Sequence, residues 1–189
     1  MKPTVVSIAG GGGSGKSQLA LAVVARLGED AASRVPMDWY LVPRAVPMTE
    51  WLTQHLAWDH DAVRALLAAP IGETRLTPPF DFETFTRSET TGQRKTVPIR
   101  PVMVLDAMDP WPEADLSVLL AVPAEVRRER IAARDIRWGS RVLDRWEQQM
   151  EPTWHACAAR EHRFDLVLDG ERPISENAER VASALRDRD

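Results

Sequence analysis

The chain has 189 residues, 44% of them hydrophobic and 28% charged, with a formal net charge of −4 at pH 7. This length and composition suit one globular domain over 1–189, and the acidic balance excludes a generic nucleic-acid binder, which would be clearly basic. The lone cysteine, Cys157, excludes an internal disulfide, and no apolar run reaches the length of a membrane span or forms a secretory signal, so a cytoplasmic protein without a membrane partner is expected.

In chain order, Thr4–Ala9 (TVVSIA) is apolar and β-branched and predicts a buried strand. A glycine-rich turn follows, then a helix over Ser17–Leu27 closed by Gly28. Arg34–Met37 predicts a short strand ending at Asp38, and helices are expected over Met48–Ala57 and Asp61–Ala68, the second stopped by Pro70. Leu76–Phe85 is extended because Pro78 and Pro79 forbid a helix. Ser88–Arg94 has loop chemistry, and Lys95–Arg100 returns as a hairpin partner. Pro101–Leu105 and Leu116–Val122 predict two further buried strands, the first ending at Asp106. Helices are expected over Ala124–Trp138 and Arg141–Arg160, a last strand over Phe164–Leu168, and a closing helix over Pro173–Leu185. Continuous apolar strands alternating with helices predict an α/β fold, a three-layer αβα sandwich around a mostly parallel sheet. The irregular stretch 70–101 is expected to be a substrate-binding insertion.

Gly10-Gly11-Gly12-Gly13-Ser14-Gly15-Lys16-Ser17 satisfies G-x-x-x-x-G-K-[ST] between a predicted strand and a predicted helix. Glycines allow the tight turn that aims consecutive N–H groups at phosphate oxygens, and the helix adds its positive end. Lys16 would neutralise β and γ phosphates, and the Ser17 hydroxyl would hold Mg²⁺, so ATP and Mg²⁺ are the expected cofactors. Only three lysines occur among the 24 basic residues, and one stands at this motif position. Gly10, Gly12 and Gly15 also fit G-x-G-x-x-G with Asp38 as a ribose acid, but a dinucleotide site has no use for Lys16-Ser17 directly after the last glycine.

A phosphoryl acceptor needs its hydroxyl oriented and its proton accepted. Asp38 at a strand end suits that base, and Asp106, ending another apolar strand, suits the metal shell beside Ser17, with Asp109 a rival nearby. Either aspartate could instead cap a helix or turn. Arg127, Arg130, Arg134, Arg137, Arg141 and Arg145 recur every three or four residues. On one helix they would share a face that cannot be core, and 124–145 could close over a triphosphate as an arginine-rich lid. The alternative is a solvated face paired with nearby acids. His55, His60, His155 and His162 show no metal-ligand spacing with Cys157, and Trp39 and Trp58 line the acceptor site or the core.

The order of these segments resembles uridine kinases and their relatives of the phosphoribulokinase and pantothenate kinase types along almost the whole chain. Asp38-Trp39-Tyr40 is similar to the family's Asp-x-Phe-Tyr, whose Asp is the catalytic base. Trp58-Asp59-His60-Asp61-Ala62 is similar to the segment whose first Asp holds ribose hydroxyls. Pro79-Phe80-Asp81-Phe82 with Arg87 resembles a substrate segment, and Arg127–Asp135 resembles the lid helix that brings arginines to the phosphates. The resemblance implies a P-loop kinase in which Arg134, with Arg130 and Arg137, clamps phosphate. It also implies that Tyr40, Asp59, Phe80, Phe85 and Arg87 meet the acceptor. That acceptor would be a nucleoside 5′-hydroxyl, or in other branches a sugar, pantothenate or nicotinamide riboside, and self-association stays open. This sequence departs from the pattern with Phe85 in place of a histidine, Phe80 in place of a tyrosine, Asp106 in place of a glutamate and Ala107 in place of a glycine. A nucleotide-binding regulatory protein with no acceptor is the reading from another class.

Overall fold

The computed structural model describes residues 2–43, 46–47, 50, 58–82, 86–139, 142–159 and 164–188. In chain order, β1 is Thr4–Ala9, α1 Lys16–Leu27, β2 Ala32–Pro36, α2 His60–Leu67, β3 Thr74–Leu76 and β4 Thr96–Pro98. Next come β5 Val102–Ala107, β6 Leu116–Ala121, α3 Ala124–Trp138, α4 Glu151–Ala158, β7 Leu166–Asp169 and α5 Ile174–Arg186.

The apolar β-branched runs form one parallel five-stranded sheet in the order β2-β5-β1-β6-β7, with β1 at its centre. Side chains alternate across the strands, so each strand serves two cores. Val6 and Ile8 of β1, Val104 of β5 and Val118 of β6 pack against Leu19 and Val23 of α1 and Val181 and Leu185 of α5. Val5, Met103 and Leu105 face the other way, onto Val63 and Leu66 of α2, together with Tyr40, Phe80, Ile99 and Trp111. The result is the three-layer sandwich expected from the alternation of elements. β3 and β4 form the expected antiparallel hairpin, with Leu76 opposite Thr96, and its pairing continues to a bridge between Phe80 and Gln93.

Departures from the sequence reading are local. β2 stops at Pro36, and Asp38 lies in a short 3-10 turn, Met37–Tyr40, just beyond the strand. The helix expected over Arg141–Arg160 is broken into a 3-10 turn Leu143–Arg145, a π turn Trp146–Met150 and α4. Pro152 explains the break: it has no N–H to continue a helix from Trp146 and is tolerated only in the first turn of α4. Gly139 at φ +66 ends α3. The helix expected over Met48–Ala57 lies, apart from Glu50, outside the described residues.

The arginine stripe corrects one expectation. Arg127 is 3% exposed, inside the protein rather than on a solvated face. Its guanidinium forks onto Glu151 at 2.8 and 2.6 Å, and Nε donates to the Val122 carbonyl at 3.0 Å. Trp146 and Trp154 lie 5.2 and 5.9 Å from it. Three donated hydrogen bonds together with two aromatic rings satisfy a charge that burial would otherwise penalise. Arg127→Met, which leaves Glu151 without its fork, is expected to lower stability in urea denaturation by about 3 kcal/mol. The exposed neighbour Arg128→Met is expected to change it by less than about 0.5 kcal/mol.

Candidate active site

The glycine-rich turn joins β1 to α1. Gly13 and Gly15 have φ of +79 and +92, a left-handed backbone that side chains resist. A Cβ on Gly13 would also stand 2.4 Å from the Arg127 carbonyl oxygen, and one on Gly12 2.3 Å from Cε of Met150. The loop is therefore held by close packing against α3 and the π turn. Gly10 and Gly11 are equally confined: a Cβ would meet Ser14 Oγ at 2.8 Å and Arg127 Nη1 at 2.5 Å. Helix α1 starts at Lys16, and amides at a helix start have no intrahelical acceptor, which leaves them for an anion.

This loop forms one wall of a cleft of about 510 Å³; Arg130, Arg134 and Arg137, one helical turn apart on α3, form the other. The structure thus brings Gly13, Gly15, Lys16 and Ser17 together with the three arginines expected to meet phosphate. Arg130 donates to the carbonyls of Ser14 at 3.1 Å and Gly170 at 3.0 Å, tying the loop to the turn after β7. Arg141 and the side chain of Arg145 lie outside the described residues.

At the floor, β5 carries Asp106, 4% exposed. Ser17 Oγ donates to its Oδ2 at 2.5 Å. Arg34, from β2, forks onto the same carboxylate, Nε to Oδ1 at 2.7 Å and Nη2 to Oδ2 at 2.9 Å. A hydroxyl and a carboxylate in contact are hard oxygen donors of the kind Mg²⁺ takes alongside phosphate. Among the described residues no group of three or more His, Cys, Asp or Glu could cage a metal. Ser17 and Asp106 therefore fit an ion that arrives with its own oxygen ligands. His60 stacks on Trp111, 5.1 Å between ring centres, and the exposed His155 lies beside Glu151, while His55 and His162 lie outside the described residues.

Asp38 and Lys16 lie close enough at this floor for each to act on the other's charge. Crowding by protein atoms pushes the Asp38 carboxyl above the usual carboxylate range; the Lys16 ammonium opposes that rise and Asp106 adds to it. By surface area Asp38 is exposed, so it is crowded by neighbouring atoms without being closed off from water. Burial lowers the Lys16 ammonium, against the pull of Asp38 and Asp106. Arg34 and Arg134 act on both groups.

The expected acceptor residues separate into two sets. Asp59 caps α2, accepting from Ala62 N–H at 2.9 Å, and its other oxygen takes Arg87 Nη1 at 2.7 Å. Partial burial works to raise this carboxyl, but the Ala62 N–H and the Arg87 guanidinium hold it below its ordinary value. Tyr40 anchors this segment, its carbonyl accepting from Asp59 N–H at 2.7 Å. Its ring is buried, and burial pushes its hydroxyl up. Phe80 is fully buried, with its ring against Phe82, 4.9 Å between centres, and so offers no open face for a ligand to stack on. The exposed ring is Phe82, which meets Trp39 edge-on at 5.0 Å. Phe85 lies outside the described residues. Asp109, the alternative to Asp106, is 2% exposed and lines a small cavity with Trp58 and Trp111. Sequence reasoning missed Arg34; a charged residue opening a predicted short strand was the available signal.

No protein-family model matches the chain. A uridine kinase of Bacillus mycoides is 29% identical over 157 residues, covering 76% of this chain and 72% of its own. One from Lactiplantibacillus plantarum is 26% identical over 185 residues, covering 88% and 87%. Among solved structures, a protein described as a fructose transport system kinase from Silicibacter sp. superposes with a TM-score of 0.63 at 22% identity, covering 88% of this chain and 90% of its own. A gluconokinase from Sinorhizobium meliloti gives 0.51 at 16%, covering 98% and 97%. At these identities the solved structures speak for the fold and the curated relatives for the sequence. Motif order, sequence and fold agree in likening this chain to the uridine kinase-like P-loop kinases.

Proposed function

We propose that the protein transfers the γ-phosphoryl group of ATP to a hydroxyl of a small molecule, first among candidates the 5′-hydroxyl of a uridine- or cytidine-like nucleoside. The observation that carries the reading is the contact of Ser17 Oγ with Asp106, 2.5 Å, at the foot of a helix whose first residue is Lys16. Two elements that share no local sequence, α1 and β5, converge there on the donors that a magnesium triphosphate requires. Bound with the nucleotide, Mg²⁺ would be held by Ser17 and Asp106 and would neutralise β- and γ-phosphate oxygens. Lys16 and the loop amides would hold the phosphates, and Arg130, Arg134 and Arg137 would add charge from the lid side. Lid closure over 124–145 would exclude water and limit hydrolysis. Asp38 would orient the acceptor hydroxyl and take its proton as the bond to phosphorus forms.

Asp59 and Arg87 support an acceptor with neighbouring hydroxyls. The carboxylate has lone pairs beyond the two in use, and the pair is half-buried on the side of Tyr40. The burial of Phe80 favours a second reading within the same chemistry, a sugar or polyol with no ring to stack. Acceptor-dependent ADP release over nucleosides, sugars and vitamins separates the two. ADP release indifferent to every acceptor points instead to a regulatory nucleotide-binding protein.

Lys16→Ala is expected to reduce acceptor-dependent turnover by about 10²-fold or more, through loss of charge stabilisation at the phosphates. Asp38→Asn is expected to leave MgADP binding near the wild-type value in calorimetry while turnover falls by about 10²- to 10⁴-fold. In the wild type, Asp38 must be ionised to accept a proton, and its carboxyl is raised. The rate is therefore expected to fall, as pH drops, at a pH above that of an ordinary carboxylate, and this acid limb is expected to vanish in Asp38→Asn. A full rate in Asp38→Asn with the true acceptor would remove the base from this aspartate.

A further inference from the structure

β2 and β5 run parallel, with Pro36 opposite Asp106 and Arg34 opposite Val104. Arg34 therefore lies one side-chain repeat behind Asp106 on the same face, and its length carries the guanidinium forward to the strand end. There it takes both carboxylate oxygens, at 2.7 and 2.9 Å, while Ser17 holds Oδ2 at 2.5 Å. Asp106 is 4% exposed and Arg34 27% exposed, so the pair is shielded from water on the acid's side. A fork of this kind fixes the carboxylate plane as well as its charge.

The consequence is electrostatic. The pair is formally neutral, and among the described groups acting here this leaves Lys16 and Arg134 against the carboxylate of Asp38. Without a nucleotide, the floor of the cleft thus carries an excess of positive charge, and a lone divalent cation gains little by entering it. A nucleotide reverses that balance by bringing several negative charges to the same place. We propose that Arg34 is a positioning residue that masks Asp106 in the empty enzyme, so that the metal enters with the nucleotide rather than ahead of it, and that orients the carboxylate toward Ser17 for that moment. This rests on the reading of Asp106 as the metal acid. The competing account is a plain strand-to-strand ion pair, which would affect stability and leave metal binding untouched.

The test is the affinity for Mn²⁺ alone, used as a paramagnetic substitute for Mg²⁺ and read by electron paramagnetic resonance without nucleotide. Arg34→Met is expected to bind Mn²⁺ tighter than the wild type by about tenfold or more, because the masking charge is gone. Arg34→Lys keeps a charge but not the fork, and is expected to stay within about threefold of the wild type. In Arg34→Met/Asp106→Asn the gain is expected to disappear. If Arg34→Met fails to fold, Arg34→Gln carries the same expectation, since its amide still donates one bond to the carboxylate. Equal Mn²⁺ affinity in the neutral variant and the wild type overturns the proposal, as does a gain that survives Asp106→Asn. A rise in melting temperature of the wild type with MgADP is read alongside: its absence strikes the kinase reading, and leaves the Mn²⁺ comparison to decide the role of Arg34 by itself.

Discussion

A carboxylate withdrawn from water at the end of a buried strand needs compensating donors, and at Asp106 they come from two other elements. The hydroxyl of Ser17 arrives on α1 and the guanidinium of Arg34 on β2. An unpaired charge there would be costly, so the register of β2 against β5 and the start of α1 after β1 are bound to one another through a single side chain. The parallel sheet makes this convergence natural: all its strands point their carboxyl ends at the same edge, where connecting turns leave a crevice. Asp38 and Lys16 reach that edge by the same rule.

The phosphate loop depends on packing behind it as much as on its own glycines. Arg127 lies against the loop from α3, and its fork onto Glu151 reaches α4 beyond. The side chains at 11, 12 and 13 are missing where guanidinium, methionine and carbonyl atoms press in. Two glycine functions coexist in one stretch: freedom of φ at Gly13 and Gly15, and surrendered volume at Gly11 and Gly12. A loop so confined is preorganised for an anion, and ordering it costs little at the moment of binding.

The parts of the fold legible in the sequence were those decided by local pattern. The runs TVVSIA and LSVLLA have no polar interruption beyond serine, and both are strands with almost the predicted bounds. Gly28 closes the first helix where an open backbone with positive φ is needed. What was not legible turned on non-local partners. Periodicity alone gave six arginines one role, but Arg127 meets Glu151 and two tryptophans from a later segment, and so belongs to the interior. Phe80 was read as a contact by resemblance, whereas the hairpin register that buries it depends on Gln93. Arg34 was visible as a residue, but its importance exists only once β2 lies beside β5.

The bridge made by Arg130 has a consequence for how this protein can vary. Both of its acceptors, at Ser14 and Gly170, are main-chain oxygens. Any amino acid supplies such an oxygen, so the bridge between the loop and the turn after β7 is indifferent to which side chain position 14 carries. At 170 the freedom is smaller for an unrelated reason, since a Cβ would press within 2.3 Å of Val122 Cγ2. Over long divergence the architecture of this corner can therefore outlast most of the letters that spell it, with the guanidinium at 130 and the missing side chain at 170 as what it asks of the sequence.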